Sequence, residues 1–220
     1  MKIALLLFPG FTSLDAIGPY EMLVHAPGVE VMLVAKEKAL LTGEKDIFKI
    51  MPSHSFAEVE EADVLLVPGG PGEVSAATDA ATIGWIKQIH TSSRFTTSVC
   101  TGALVLAKAG ILEGKPATTH WAAADTLNAL GSPYQAERWV QDGKIITAAG
   151  VSAGMDMALF LLAELVGEDA AKMTQLGVEY DPKPPFNNGS VAKAEPHIHS
   201  MLKASFEASM AERFKFLLEH

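Results

Sequence analysis

Four short runs of strand-forming residues restrict this chain more than any other feature: Lys2–Phe8, Val29–Ala35, Asp63–Val67 and Phe95–Val99. They show little apolar/polar alternation, as expected of strands covered on both faces. Helical stretches separate them, and strands alternating with helices predict a parallel α/β sandwich. Pro9-Gly10 ends the first run, and Pro19 is placed at the first turn of a helix through Tyr20–His25. A small hairpin around Gly43-Glu44 over Leu40–Ile50 sits off the main sheet. Further helices are expected over Ala80–His90, Thr101–Ala109, Ala122–Leu130, Gly150–Val166, Asp169–Gly177 and Glu195–Leu218. Ala117–Thr119 reads as a short strand, and Asp142-Gly143 joins Glu137–Gln141 to Lys144–Ala148 as a two-residue hairpin.

At 220 residues, the chain is read as a single domain spanning 1–220, with 195–220 its C-terminal helix; the closing Leu-Glu-His is tag-like and carries no weight. A formal charge of −9 argues against nucleic acid. The one cysteine excludes an internal disulfide framework. The segment after Met1 is too short to be a signal peptide, and the longest apolar stretch, 155–166, contains Asp156 and Glu164. The expectation is a soluble, cytoplasmic domain.

That cysteine, Cys100, sits where the Phe95–Val99 strand turns into a helix, with Gly102 leaving room for a sharp bend. Such an elbow lifts a nucleophile out of the sheet edge in a strained conformation. The helix start beyond it is expected to lower the thiol pKa from about 8.5. The opposing reading is a small buried hydrophobe. Ligands in open parallel sheets bind at the carboxyl ends of strands near a topological switch. The loops carrying Asp15, Gly69-Gly70 and Cys100 should therefore meet. Gly69 and Gly70 bring amides close to a ligand, with Gly70 and Thr101 as the expected anion-hole donors, although a plain tight turn explains the glycines equally. Asp15 is either a helix cap or, desolvated, a proton carrier beside the sulfur. His120 is a candidate base or a structural histidine. Ile17, Pro71, Trp121 and Val151 are candidate apolar walls by loop position. His197 and His199 lack the companions of a metal site and are read as solvated; neither a metal nor a cofactor is expected.

The residues Ser98-Val99-Cys100-Thr101-Gly102-Ala103, Leu14-Asp15-x-x-Gly18-Pro19 and Val67-Pro68-Gly69-Gly70 resemble the ThiJ/PfpI superfamily. Ala117-Thr118-Thr119-His120-Trp121, Gly154-Met155-Asp156 and Tyr180-x-Pro182-x-Pro184-Pro185-Phe186-Asn187 are similar to its isonitrile-hydrating subgroup. The resemblance reaches to about Ser190. It implies a flavodoxin-like sandwich of the class I glutamine-amidotransferase-like type, usually homodimeric. It also implies Cys100 as nucleophile, Asp15 as acid/base partner and Thr101 as an assisting residue. Superfamily proteases and amidases tend to carry histidine where Thr101 stands, which disfavours peptide cleavage. The expected reaction is hydration of a small-molecule isonitrile to a formamide. The rivals are glyoxalase- or deglycase-like chemistry on aldehydes, and a cysteine redox or ligand sensor.

Overall fold

A computed structural model describes residues 1–219. In chain order, β1 (Lys2–Leu6) leads through α1 (Ser13–Val24) to β2 (Glu30–Ala35). The pairs β3 (Leu41–Thr42) and β4 (Lys49–Ile50) form a separate two-stranded ribbon, followed by β5 (His54–Ser55). Next come β6 (Val64–Val67), α2 (Glu73–Thr78), α3 (Ala80–Ser92), β7 (Phe95–Val99) and α4 (Gly102–Lys108). A 3-10 turn at Trp121–Ala123 opens into α5 (Ala124–Ala129), then the hairpin β8 (Trp139–Asp142) and β9 (Ile145–Ala148). The chain ends in α6 (Ala153–Val166), α7 (Glu168–Gly177) and α8 (Pro196–Glu219).

The main sheet has seven strands in the order β5-β2-β1-β6-β7-β9-β8, parallel except for the β8–β9 hairpin. Helices cover both faces, so Ile3, Leu5, Leu65 and Leu66 are fully buried, as their unbroken apolar runs require. The central β7 is instead hydroxyl-rich. Its Thr97 Oγ1 donates to the Leu65 carbonyl at 3.0 Å, and Thr96 Oγ1 lies 2.8 Å from His90 Nδ1, which makes burial of these hydroxyls affordable. After β2 and β5 the chain crosses β1 to lay down β6 on its other side. The loops leaving β1 and β6 therefore diverge at a topological switch, where a ligand-sized crevice belongs. No helix among the described residues is long and apolar enough to cross a membrane.

Four local expectations are corrected. Helix α1 starts at Ser13, so Asp15 stands in its first turn rather than in a loop, and Pro19 lies inside the helix rather than at its start. The helix tolerates this proline because Pro19 packs on α6, where a β-carbon on Gly154 would come within 2.9 Å of Pro19 Cγ. Residues 117–119 do not form a strand. Ala117 makes one isolated bridge to Tyr134, and the Thr118 N–H is taken by Thr147 Oγ1 at 2.9 Å. Helix α6 begins at Ala153, three residues later than expected, because 149–152 form a turn with Val151 at φ 44°. Helix α2 and strand β5 are short elements that periodicity does not reveal.

Candidate active site

The elbow is built as its sequence suggests. Cys100 adopts φ 57°, in the left-handed region, and its N–H donates to the carbonyls of Ala148 and Ala149, each at 3.1 Å. Its own carbonyl accepts Thr119 Oγ1 at 2.9 Å. A β-carbon at Gly102 would fall 2.2 Å from the Val67 carbonyl oxygen, so only glycine lets α4 start this close to β6. The side chain ends in a buried site: Cys100 is 6% exposed and Asp15 0%.

Asp15 reaches the sulfur from α1. Its Oδ2 accepts the Gly69 N–H at 3.0 Å, Oδ1 has no hydrogen-bond partner, and the Cys100 thiol lies beside the carboxyl. Burial pushes the Asp15 pKa from 3.8 up to about 7, against the opposing pull of the Gly69 N–H and the thiol; Glu44 adds a small push in the same direction. Burial also drives the thiol upward, followed by the charge of Asp15, while the N–H groups of Thr101 and Val151 pull it down. The expected depression of the thiol by the helix start is therefore corrected, because desolvation outweighs the amides. At neutral pH the pair rests as a thiol beside a carboxyl that is near its own midpoint. Such a carboxyl can take the thiol proton and return it.

The anion hole also differs from expectation. The Gly70 N–H is already donated to Thr101 Oγ1 at 3.0 Å, so it serves to fix the Thr101 side chain rather than a ligand. The amides that address the sulfur are those of Thr101 and Val151. Val151 thus enters through its backbone N–H. No sequence signal marks it, since a β-branched residue gives no hint of positive φ. Gly69 contributes its N–H to Asp15 and so belongs to the site's support.

The wall residues separate. Ile17 lies two positions from Asp15 on α1 and therefore faces another side of the helix, which removes the loop-based reason for placing it in the pocket. Pro71 is exposed. His120 lies against Gly150, where a β-carbon would sit 2.6 Å from His120 Cδ2. Its Nδ1 accepts the Ala122 N–H at 3.3 Å, and burial lowers its pKa, which keeps the ring neutral. Asp15, and no histidine, is the titratable group that moves the thiol. Trp121 stacks on His120 with centroids 5.5 Å apart. Two residues of α8 that sequence reasoning did not place at the site come in here. Phe206 meets both rings edge-on, and His199, expected in solvent, is half-buried 5.3 Å from Trp121. A groove of about 730 Å³ runs outward from Trp121 between the 121–136 segment and α8, past Tyr134, Met210 and Phe214. Among the described residues no group of three or more His, Cys, Asp or Glu side chains is arranged to hold a metal.

Residues 1–164 match the profile of the DJ-1/PfpI family. The chain is 44% identical over 190 residues to the isonitrile hydratase of Pseudomonas putida, covering 86% of this chain and 83% of that enzyme. It is 27% identical over 150 residues to deglycase PfpI of Pyrococcus furiosus, covering 67% of this chain and 89% of the relative. Among solved structures, a ThiJ/PfpI family protein from Pseudomonas syringae superposes with a TM-score of 0.94 at 36% identity, covering 100% of this chain and 90% of that one.

Proposed function

The chain belongs to the DJ-1/PfpI family, and within it we propose that this protein is an enzyme that hydrates isonitriles to N-substituted formamides. The observation that carries the reading is the buried pairing of Cys100 with Asp15, in a chain similar to an isonitrile hydratase over most of its length. Asp15 takes the thiol proton as the sulfur bonds to the terminal carbon of R–N≡C, and returns it to that carbon. The product is a thioimidate, R–N=CH–S–Cys100. Asp15, again a carboxylate, then draws a proton from water as the water oxygen adds to the thioimidate carbon, and passes that proton to the nitrogen. The remaining hydroxyl proton goes to the sulfur by way of Asp15 in the next step. Collapse breaks the C–S bond, releases R–NH–CHO and restores the thiol. The sum is R–N≡C plus water, with no redox change. The amides of Thr101 and Val151 stabilise the sulfur while it carries charge, and covalent capture divides one slow hydration into two easier steps. Trp121 and Phe206 supply an aromatic surface for R.

The assembled enzyme is further read as a cytoplasmic homodimer. Exposed apolar side chains on α7 and the following loop, Met173, Leu176 and Phe186, support a covered face.

The test is a progress curve with para-nitrophenyl isocyanide, with Cys100→Ala alongside. Formamide formation by the parent, lost in the variant, is expected. A folded parent that leaves the isocyanide untouched but consumes methylglyoxal would replace this reading with aldehyde chemistry.

A further inference from the structure

Two motifs singled out in the sequence, Gly154-Met155-Asp156 and Tyr180 with its proline-rich run, take no part in the chemistry above. In the fold both converge on the turn at 149–152. That turn is joined to the elbow directly, since the Cys100 N–H donates to the Ala149 carbonyl at 3.1 Å. It carries Val151, whose φ of 44° is rare for a β-branched residue and whose N–H pulls the Cys100 thiol pKa down. A strained turn keeps its shape only where its surroundings over-determine it.

Arg138, the residue before β8, grips this turn at both ends. Its carbonyl accepts the Ala149 N–H at 3.0 Å, and its guanidinium Nη2 donates to Ser152 Oγ at 3.1 Å, so one residue brackets Gly150-Val151. The guanidinium is itself aimed. Nε donates to Asp156 Oδ2 at 2.5 Å, and the other oxygen, Oδ1, accepts the Tyr180 hydroxyl at 2.8 Å. Trp139 stacks on Phe160 with centroids 5.6 Å apart, pinning the same strand to the same helix beyond the turn. The Arg138 side chain is 41% exposed and that of Asp156 27%, so as an ordinary ion pair it would add little to stability. What the arrangement does supply is orientation: a planar guanidinium holds two acceptors at fixed angles.

We propose that Arg138, Asp156 and Tyr180 are positioning residues for Cys100 chemistry, holding the 149–152 turn so that the Val151 N–H stays on the sulfur. None of them touches the reacting atoms. The inference rests on Cys100 being the nucleophile, as set out under the proposed function. The titratable groups facing the sulfur are Asp15 directly and Glu44 through Asp15. Arg138, Asp156 and Tyr180 face one another, so changing them leaves the charges at the sulfur in place.

The experiment measures the rate of Cys100 alkylation by iodoacetamide against pH, together with kcat and KM for para-nitrophenyl isocyanide and the thermal midpoint. The variants are Tyr180→Phe, Ser152→Ala and Arg138→Ala. Lys115→Ala, which removes a comparable surface pair with Asp142 at the far end of the same hairpin, serves as control. The expected result is an alkylation midpoint raised by about one pH unit. We also expect kcat to fall about tenfold at unchanged KM, with thermal midpoints near the parent's and the control unaltered throughout. Tyr180→Phe deletes a single hydroxyl and keeps the test decisive if Arg138→Ala fails to fold. Parent-like alkylation profiles in Tyr180→Phe and Ser152→Ala would overturn the proposal, whatever happens to stability. The alkylation arm needs no isonitrile, so a parent that fails to turn over the isocyanide counts against the proposed function alone.

Discussion

At the scale of single residues, Asp15 is where stability and chemistry pull in opposite directions. Its pKa rises from 3.8 to about 7 on folding because burial penalises the carboxylate. A carboxyl with a folded value above its unfolded one binds its proton more tightly in the native chain. Its effect on stability is thus absent in acid and grows as a penalty as pH climbs through the interval between those two values. Asp15→Asn removes that penalty while keeping an oxygen for the Gly69 N–H. The variant should be more stable than the parent at pH 8, by on the order of 3 kcal/mol, with the difference closing near pH 4. Urea unfolding at the two pH values measures this. The same substitution should lower kcat for an isonitrile at least about a hundredfold, because the thiol proton has nowhere to go. A variant that is stabilised at pH 8 and still turns over would separate burial of the group from its use.

At the scale of elements, the site depends on how α1 and α6 meet. Pro19 and Val99 crowd the α-carbon of Gly154, where a β-carbon would stand 2.9 Å from Pro19 Cγ and 3.0 Å from Val99 Cγ2. Gly154→Ala should therefore destabilise by about 1–3 kcal/mol through overpacking. Pro19→Ala in that background should recover part of the loss, a coupling that thermal melts of the four proteins would quantify. This contact also explains what the sequence does and does not disclose. The sheet is legible because Lys2–Phe8 and Asp63–Val67 are apolar without alternation, which leaves few alternatives to buried parallel strands. The elbow is legible because a cysteine followed by Thr-Gly at the end of a strand has few other uses. The start of α1 is hidden, since Gly18-Pro19 reads locally as a helix opening, and only α6 across the interface explains a proline within the helix. The Val151 amide and the Phe206 ring are hidden for a related reason. One depends on a backbone angle, the other on a contact between distant parts of the chain, and neither leaves a periodic trace.

At the scale of the whole molecule, α8 is joined to the catalytic side by a charge pair that is buried at its Glu73 end and partly exposed at Arg213. Glu73, the first residue of α2, follows the Gly69–Gly72 loop directly and is 0% exposed, and its Oε1 lies 3.1 Å from Arg213 Nη2 on α8. Phe214 and Leu217 are buried on the same stretch of α8. Burial raises the Glu73 pKa, and Arg213 holds it down. Replacing the pair by apolar residues can be neutral, but removing one partner strands the other's charge, at about 3–5 kcal/mol. Arg213→Ala should therefore be strongly destabilising at pH 8. It should be milder in acid, because an unpaired Glu73 binds its proton more tightly still, so its cost to folding is absent where the unfolded carboxyl is also protonated and grows as pH rises through the ordinary carboxylate range. Glu73→Gln in the Arg213→Ala background removes the charge itself and should flatten that pH dependence. Alkylation of Cys100 in the same proteins gives an independent readout. Loosening of α8 frees Phe206 from His120 and Trp121, so the thiol should react faster with bulky aromatic reagents than with iodoacetamide, relative to the parent. Equal acceleration for both would mean that α8 braces the fold without shaping the approach to the sulfur.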